Sequence, residues 1–126
     1  MKKPVVYVAG PYRDARGPWF MRQNIYRASL VAAHLWAAGF PTICPHTNSA
    51  FMDGIAADNV WLEGYIRILE LCDVVVFLPH ENSEGSKAEH SRAVNLKKSV
   101  YEMDSVDPED IDKLIRHLDV VAHVLG

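Results

Sequence analysis

The stretch Cys72-Asp73-Val74-Val75-Val76-Phe77-Leu78-Pro79, running on into Ser83-Glu84-Gly85-Ser86-Lys87-Ala88-Glu89, decides the fold. Its first half is an apolar, largely β-branched run closed by proline, the pattern of a strand buried on both faces. Its second half is a short polar loop with a glycine, followed by a helix expected over residues 86–97. Such a turn brings backbone N–H groups and a glutamate to one mouth. The N–H groups can hold an anion, and the helix dipole is expected to keep the glutamate ionised. Glu89 is therefore a candidate nucleophile. Ser83, Gly85 and Ser86 form a candidate phosphate seat.

Outward from this segment, strands and helices alternate. Residues 5–9 read as a buried strand ended by Gly10-Pro11, and residues 14–18 as a polar loop. Residues 20–38 carry Ile25, Ala28, Leu30, Val31, Ala32, Leu35 and Trp36 at helical spacing, with Gly39 as the stop. Residues 41–44 predict a second strand, 46–58 a long polar loop, and 59–71 a helix. A strand over 72–78, the helix over 86–97 and a short strand over 99–102 follow. Pro108 opens a helix to about Leu118, and 120–125 is a last strand or an extension of that helix. The expected fold is α/β, a three-layer sandwich with a mostly parallel, flavodoxin-like or Rossmann-like sheet, in one domain over residues 1–126. Ligands in such sheets sit beyond the carboxyl ends of the strands. That rule gathers the loops 10–13, 46–58 and 79–89 at one edge.

The totals narrow the class. The chain has 126 residues, 49% of them hydrophobic, enough for one core. A net charge of −3 gives no general attraction for a nucleic acid polymer. No run has the length of a membrane span, and the first apolar run is too short for a signal peptide. Cys44 and Cys72 sit in apolar contexts and read as buried free thiols of a reducing, cytoplasmic compartment. His46, His80 and His90 lie near the expected site, but no metal-ligand spacing is present, so no metal is expected.

Several side chains could line the site. Tyr7 lies near the end of the first strand, where it can reach a carboxylate. Gly10 and Pro11 shape the first loop, and Arg13 can meet a phosphate. Alone, this loop also reads as a Gly-Pro turn with a surface arginine. The third loop also reads as a serine cap with an acid in the first turn. His46 and Asn48 could contact a base or sugar, and Phe51 could stack. Asn24 reads as a cap of the first loop, and Asp73 as an acceptor of backbone N–H groups. Trp19, Trp36 and Trp61 read as core or interface anchors.

Tyr-x-x-Gly at Tyr7 and Gly10, Cys-Asp-Val-Val-Val from Cys72, and Ser-x-Gly-x-x-x-Glu from Ser83 to Glu89 stand in an order with a precedent. Over residues 5–101 the chain resembles the nucleoside 2-deoxyribosyltransferase superfamily, which includes 2'-deoxynucleoside 5'-monophosphate N-glycosidases. The resemblance implies that Glu89 attacks C1' of a deoxyribose and that Tyr7 orients it. It implies that Gly10 and Arg13 enclose the sugar or its phosphate. The transferases carry an aspartate at the position of Ser83, and the monophosphate hydrolases a serine. A serine suits a phosphate dianion, which a carboxylate would repel. Glu81 and Glu84 oppose this, and Lys87 and Arg13 offset them. On the helix before the third strand, the family's base-contacting aspartate is replaced by Tyr65, a hydrogen-bond donor but a weak acid. The resemblance further implies a nucleoside or nucleotide ligand, no cofactor, and a homodimer or larger assembly sharing its sites. Trp61, Leu62 and residues 120–125 are the expected interface candidates. The alternative is a nucleotide-binding sensor on the same fold.

Overall fold

The four residues Val74–Phe77 are buried along their whole length, as the central position of their strand requires. The computed structural model describes residues 2–12, 14–50, 52, 54–79 and 84–125. In chain order the elements are β1 (Val6–Ala9), α1 (Pro18–Ala37), β2 (Thr42–Ile43), α2 (Pro45–Asn48), α3 (Asp58–Leu69), β3 (Val74–Phe77), α4 (Glu84–Asn95), β4 (Ser99–Glu102) and α5 (Pro108–Leu125). The described strands form one parallel sheet in the order β2-β1-β3-β4. Val6 lies opposite Val74 and Tyr7 opposite Val75. This is an α/β, Rossmann-like architecture.

Alternation along β1 and β3 divides the core between two faces. Val6, Val8, Val74 and Val76 pack with Ala28, Val31 and Leu35 of α1 and with Ile111, Leu114 and Leu118 of α5. Tyr7, Ala9, Val75 and Phe77 pack with Leu69 of α3, Cys72 and Ala93 of α4. The chain moves from β1 outward to β2 and from β3 outward to β4. The order therefore reverses between β1 and β3, and their carboxyl ends open the crevice where such folds hold ligands.

Local chemistry sets the boundaries. Pro18 starts α1, where its missing N–H is no loss. Gly39 follows α1 at φ 91, a conformation that favours glycine. At the start of β3, the Asp73 carboxylate accepts the Val5 N–H at 2.8 Å, in keeping with its sequence reading. One expectation needs correction and two open readings are narrowed. The expected loop over 46–58 begins with the short helix α2, with Pro45 at its start and the Cys44 carbonyl accepting from the N–H of Asn48 at 2.9 Å. Residues 120–125 extend α5, the second of the two alternatives open for them. Of the two readings of Trp19 and Trp36, the core one does not hold: the buried stripe of α1 is Asn24, Ala28, Val31, Ala32 and Leu35, and Trp36 is turned away from it. Among the described residues, no helix is long and apolar enough to cross a membrane.

Candidate active site

Tyr7 points from β1 into the layer shared with α3 and α4, where it is fully buried. A buried phenol needs a partner. Its hydroxyl donates to Oε2 of Glu89, which is 82 residues away in the chain and only 8% exposed. Burial, then the Glu89 charge and the hydrogen bond to it, hold the Tyr7 phenol far above its ordinary value. Tyr7 is thus a permanent donor and cannot serve as a base.

Burial also pushes the Glu89 carboxyl up to about 7, against the lowering effect of the Tyr7 bond. This corrects the expectation of a fully ionised glutamate. Helix α4 begins at Glu84, so Glu89 sits beyond the first turn, where the dipole has faded. Desolvation decides instead. Near neutral pH both protonation states are present.

The first loop is fixed from two sides. The Pro11 carbonyl lies 2.8 Å from His46 Nε2, so that nitrogen carries the proton. His46 Nδ1 then faces the Cys44 thiol at 3.9 Å, and its ring meets the Tyr12 ring edge-on at 5.7 Å. Burial lowers the His46 pKa, so the ring stays neutral. From the other side, Asn24 Nδ2 donates to the Tyr12 carbonyl at 3.2 Å, its expected use. Gly10 is required by its neighbour: a Cβ there would stand 2.9 Å from Cβ and Cδ1 of Leu78.

Tyr65 packs beside the Tyr7 layer, but its hydroxyl turns to α2. Asn48 Nδ2 donates to Tyr65 Oη at 3.0 Å, Tyr65 donates to Ser49 Oγ at 2.8 Å, and Ser49 donates to the Pro45 carbonyl at 3.1 Å. Each hydroxyl in this relay donates one hydrogen bond and accepts another at its oxygen. Glu70, at the end of α3, accepts from Arg92 of α4 at 2.7 Å and steadies the helix that carries Glu89.

The structure thus brings Tyr7 and Glu89 together, with Gly10, Pro11 and His46 on the β1–α1 side and Asn48 with Tyr65 on the α2–α3 side. Gly85 and Ser86 belong to the first turn of α4. Arg13, Phe51, His80, Glu81 and Ser83 lie outside the described residues. His90, next to Glu89 in sequence, faces Glu102 of β4 at 3.1 Å. Burial raises both thiols, Cys72 to about 11, so neither is a thiolate nucleophile near neutral pH. Among the described residues, no group of three His, Cys, Asp or Glu side chains could hold a metal ion.

Sequence reasoning missed the Ser49 link, because α2 is too short to give a periodic signal. It also missed the anchoring of Pro11 by His46. A histidine directly after a proline at a strand end was the available cue. No family model and no curated protein matches the chain.

Proposed function

We propose that the chain cleaves or transfers the N-glycosidic bond of a deoxynucleoside, with a preference for the 5'-monophosphate. The Tyr7–Glu89 pair carries this reading. Tyr7 occupies Oε2 and leaves Oε1 to react. The ionised carboxyl attacks C1' of the sugar, and the C1'–N bond breaks with its electron pair leaving on the base, which takes up a proton from solvent. Water then attacks C1', gives up a proton and releases Glu89 as a carboxylate, as in retaining glycoside hydrolysis. In transfer, a second base takes the place of water. The phosphate seat is the loop and first turn around Ser83, Gly85 and Ser86, aided by Arg13. In this reading the enzyme is cytoplasmic, needs no cofactor and works as a homo-oligomer.

The test is a panel of deoxynucleosides and their monophosphates, read by chromatography for free base. Wild-type protein releases base and Glu89→Gln does not. Equal release by both removes Glu89 from the chemistry.

One observation favours a second reading, a nucleotide sensor. The Tyr65 hydroxyl, where the resembled family has its acid, is engaged with α2. A sensor shows thermal stabilisation by a nucleotide without base release. If leaving-group protonation limits turnover, Tyr65→Asp speeds release. A folded, ligand-binding variant with no gain sinks that explanation.

A further inference from the structure

Helix α1 carries large apolar side chains on two sides, with Arg22 and Gln23 interspersed on the outer one. One stripe enters the core. On the other side, Trp19, Tyr26 and Ala33 follow one another at intervals of seven residues, which keeps them on one line of the helix. Trp19 is 57% exposed, Tyr26 61% and, on the flank, Trp36 58%. Single exposed apolar residues are ordinary, but three large aromatics on one helix are not.

The N-terminal anchor is ordered in advance. Asp14 holds Arg16 through Nε at 3.0 Å and Nη2 at 2.7 Å. The Arg16 guanidinium lies 3.8 Å from the centre of the Phe20 ring, and Phe20 meets Trp19 edge-on at 4.9 Å. An aromatic fixed this way loses little freedom on burial, as interface hot spots require.

A receptor for it lies on the same helix. Ala33 and Trp36 of α1, Thr42 of β2 and Thr47 of α2 line an open groove of about 320 Å³. Among the described residues no charged side chain lines it, and it is roomy enough for an indole.

We propose that this face of α1 joins two copies of the chain about a two-fold axis passing at Tyr26. A two-fold interface must be self-complementary. With antiparallel helices and Tyr26 on the axis, the position seven residues before it meets the position seven residues after it. Trp19 of each copy then falls at Ala33 of the other, at the mouth of the groove, about 10 Å along the helix from the axis. Tyr26 meets its own counterpart. The three aromatics alone expose on the order of 350 Å² per protomer, close to half of the roughly 800 Å² per partner of a standard interface. The face differs from the Trp61, Leu62 and 120–125 candidates, and the inference does not depend on any activity at Glu89.

Sedimentation equilibrium of the full chain tests it. Wild type is expected to be a dimer at micromolar concentration. Trp19→Glu and Tyr26→Glu are expected to weaken the dimer at least tenfold while leaving circular dichroism and thermal unfolding of the monomer intact. Ala33→Trp, which fills the groove mouth from outside the core, is expected to do the same. Trp61→Glu serves as the contrast and keeps the dimer. A monomeric wild type overturns the proposal, as does a dimer that survives all three α1 substitutions or is lost only in Trp61→Glu.

Discussion

Tyr7 and Glu89 share one hydrogen bond inside a dry layer between the sheet and α4, and each raises the energetic stake of the other. The phenol is fully buried, and the carboxyl, only 8% exposed, has lost most of its water. A hydrogen bond to an ionised acceptor is worth ~1.5–3 kcal/mol, which equals about one to two pH units. Tyr7→Phe is therefore expected to raise the Glu89 midpoint above about 7 by that amount. Titration of the Glu89 side-chain carbon by NMR reads it directly. An unmoved midpoint shows that Tyr7 does not support the ionised form.

The same carboxyl makes stability depend on pH. Its folded value of about 7 lies above its ordinary 4.5. Below the lower value both folded and unfolded chains hold the proton, and nothing is gained or lost. As pH rises from there to about 7, the unfolded chain releases the proton first, so stability falls; above 7 the cost is complete. Glu89→Gln keeps an acceptor for Tyr7 and carries no charge. Relative to wild type, it is expected to gain about 2–3 kcal/mol between pH 5 and pH 8 in urea unfolding. A gain that is flat with pH contradicts the burial-driven shift.

Gly10→Ala places a methyl group 2.9 Å from Leu78. We expect a loss of ~1–3 kcal/mol from overpacking. Since part of the clash is with Leu78 Cδ1, Gly10→Ala combined with Leu78→Ala is expected to cost less than the two changes summed. Strict additivity in denaturant midpoints rules out the clash.

His46→Leu keeps bulk and deletes the donor to Pro11. Leaving that carbonyl partly buried and unpaired is expected to cost ~1–3 kcal/mol. Hydrogen exchange at Tyr12 and its neighbours should quicken more than exchange in β3. Uniform quickening across the sheet points to general destabilisation rather than a released loop.

Much of the fold was legible in the sequence because apolar runs and helical stripes report burial. Val74–Phe77 is such a run, and the Asp73 carboxylate at its edge has one natural use, to accept the Val5 N–H. The pairing of Tyr7 with Glu89 was reachable only through a resemblance, since nothing local links residues so far apart. The protonation of Glu89 was misread because it depends on where α4 starts and on how much protein covers the carboxyl. Trp36 stayed open between core and interface because one residue of helix turns a side chain by about 100°, enough to carry it from the core stripe to the surface. The Asn48–Tyr65–Ser49 relay joins two elements across a connection and leaves no pattern in sequence.

The separation of 82 residues between Tyr7 and Glu89 also has a meaning during synthesis. A ribosome adding about 5–20 residues per second needs roughly 4–16 s to supply the glutamate after the tyrosine. Throughout that interval β1 carries a phenol whose final burial would leave it without a partner. The first strand therefore cannot complete its inner face until α4 has emerged, and closure of this layer is a late step that reports that both crossovers are in place.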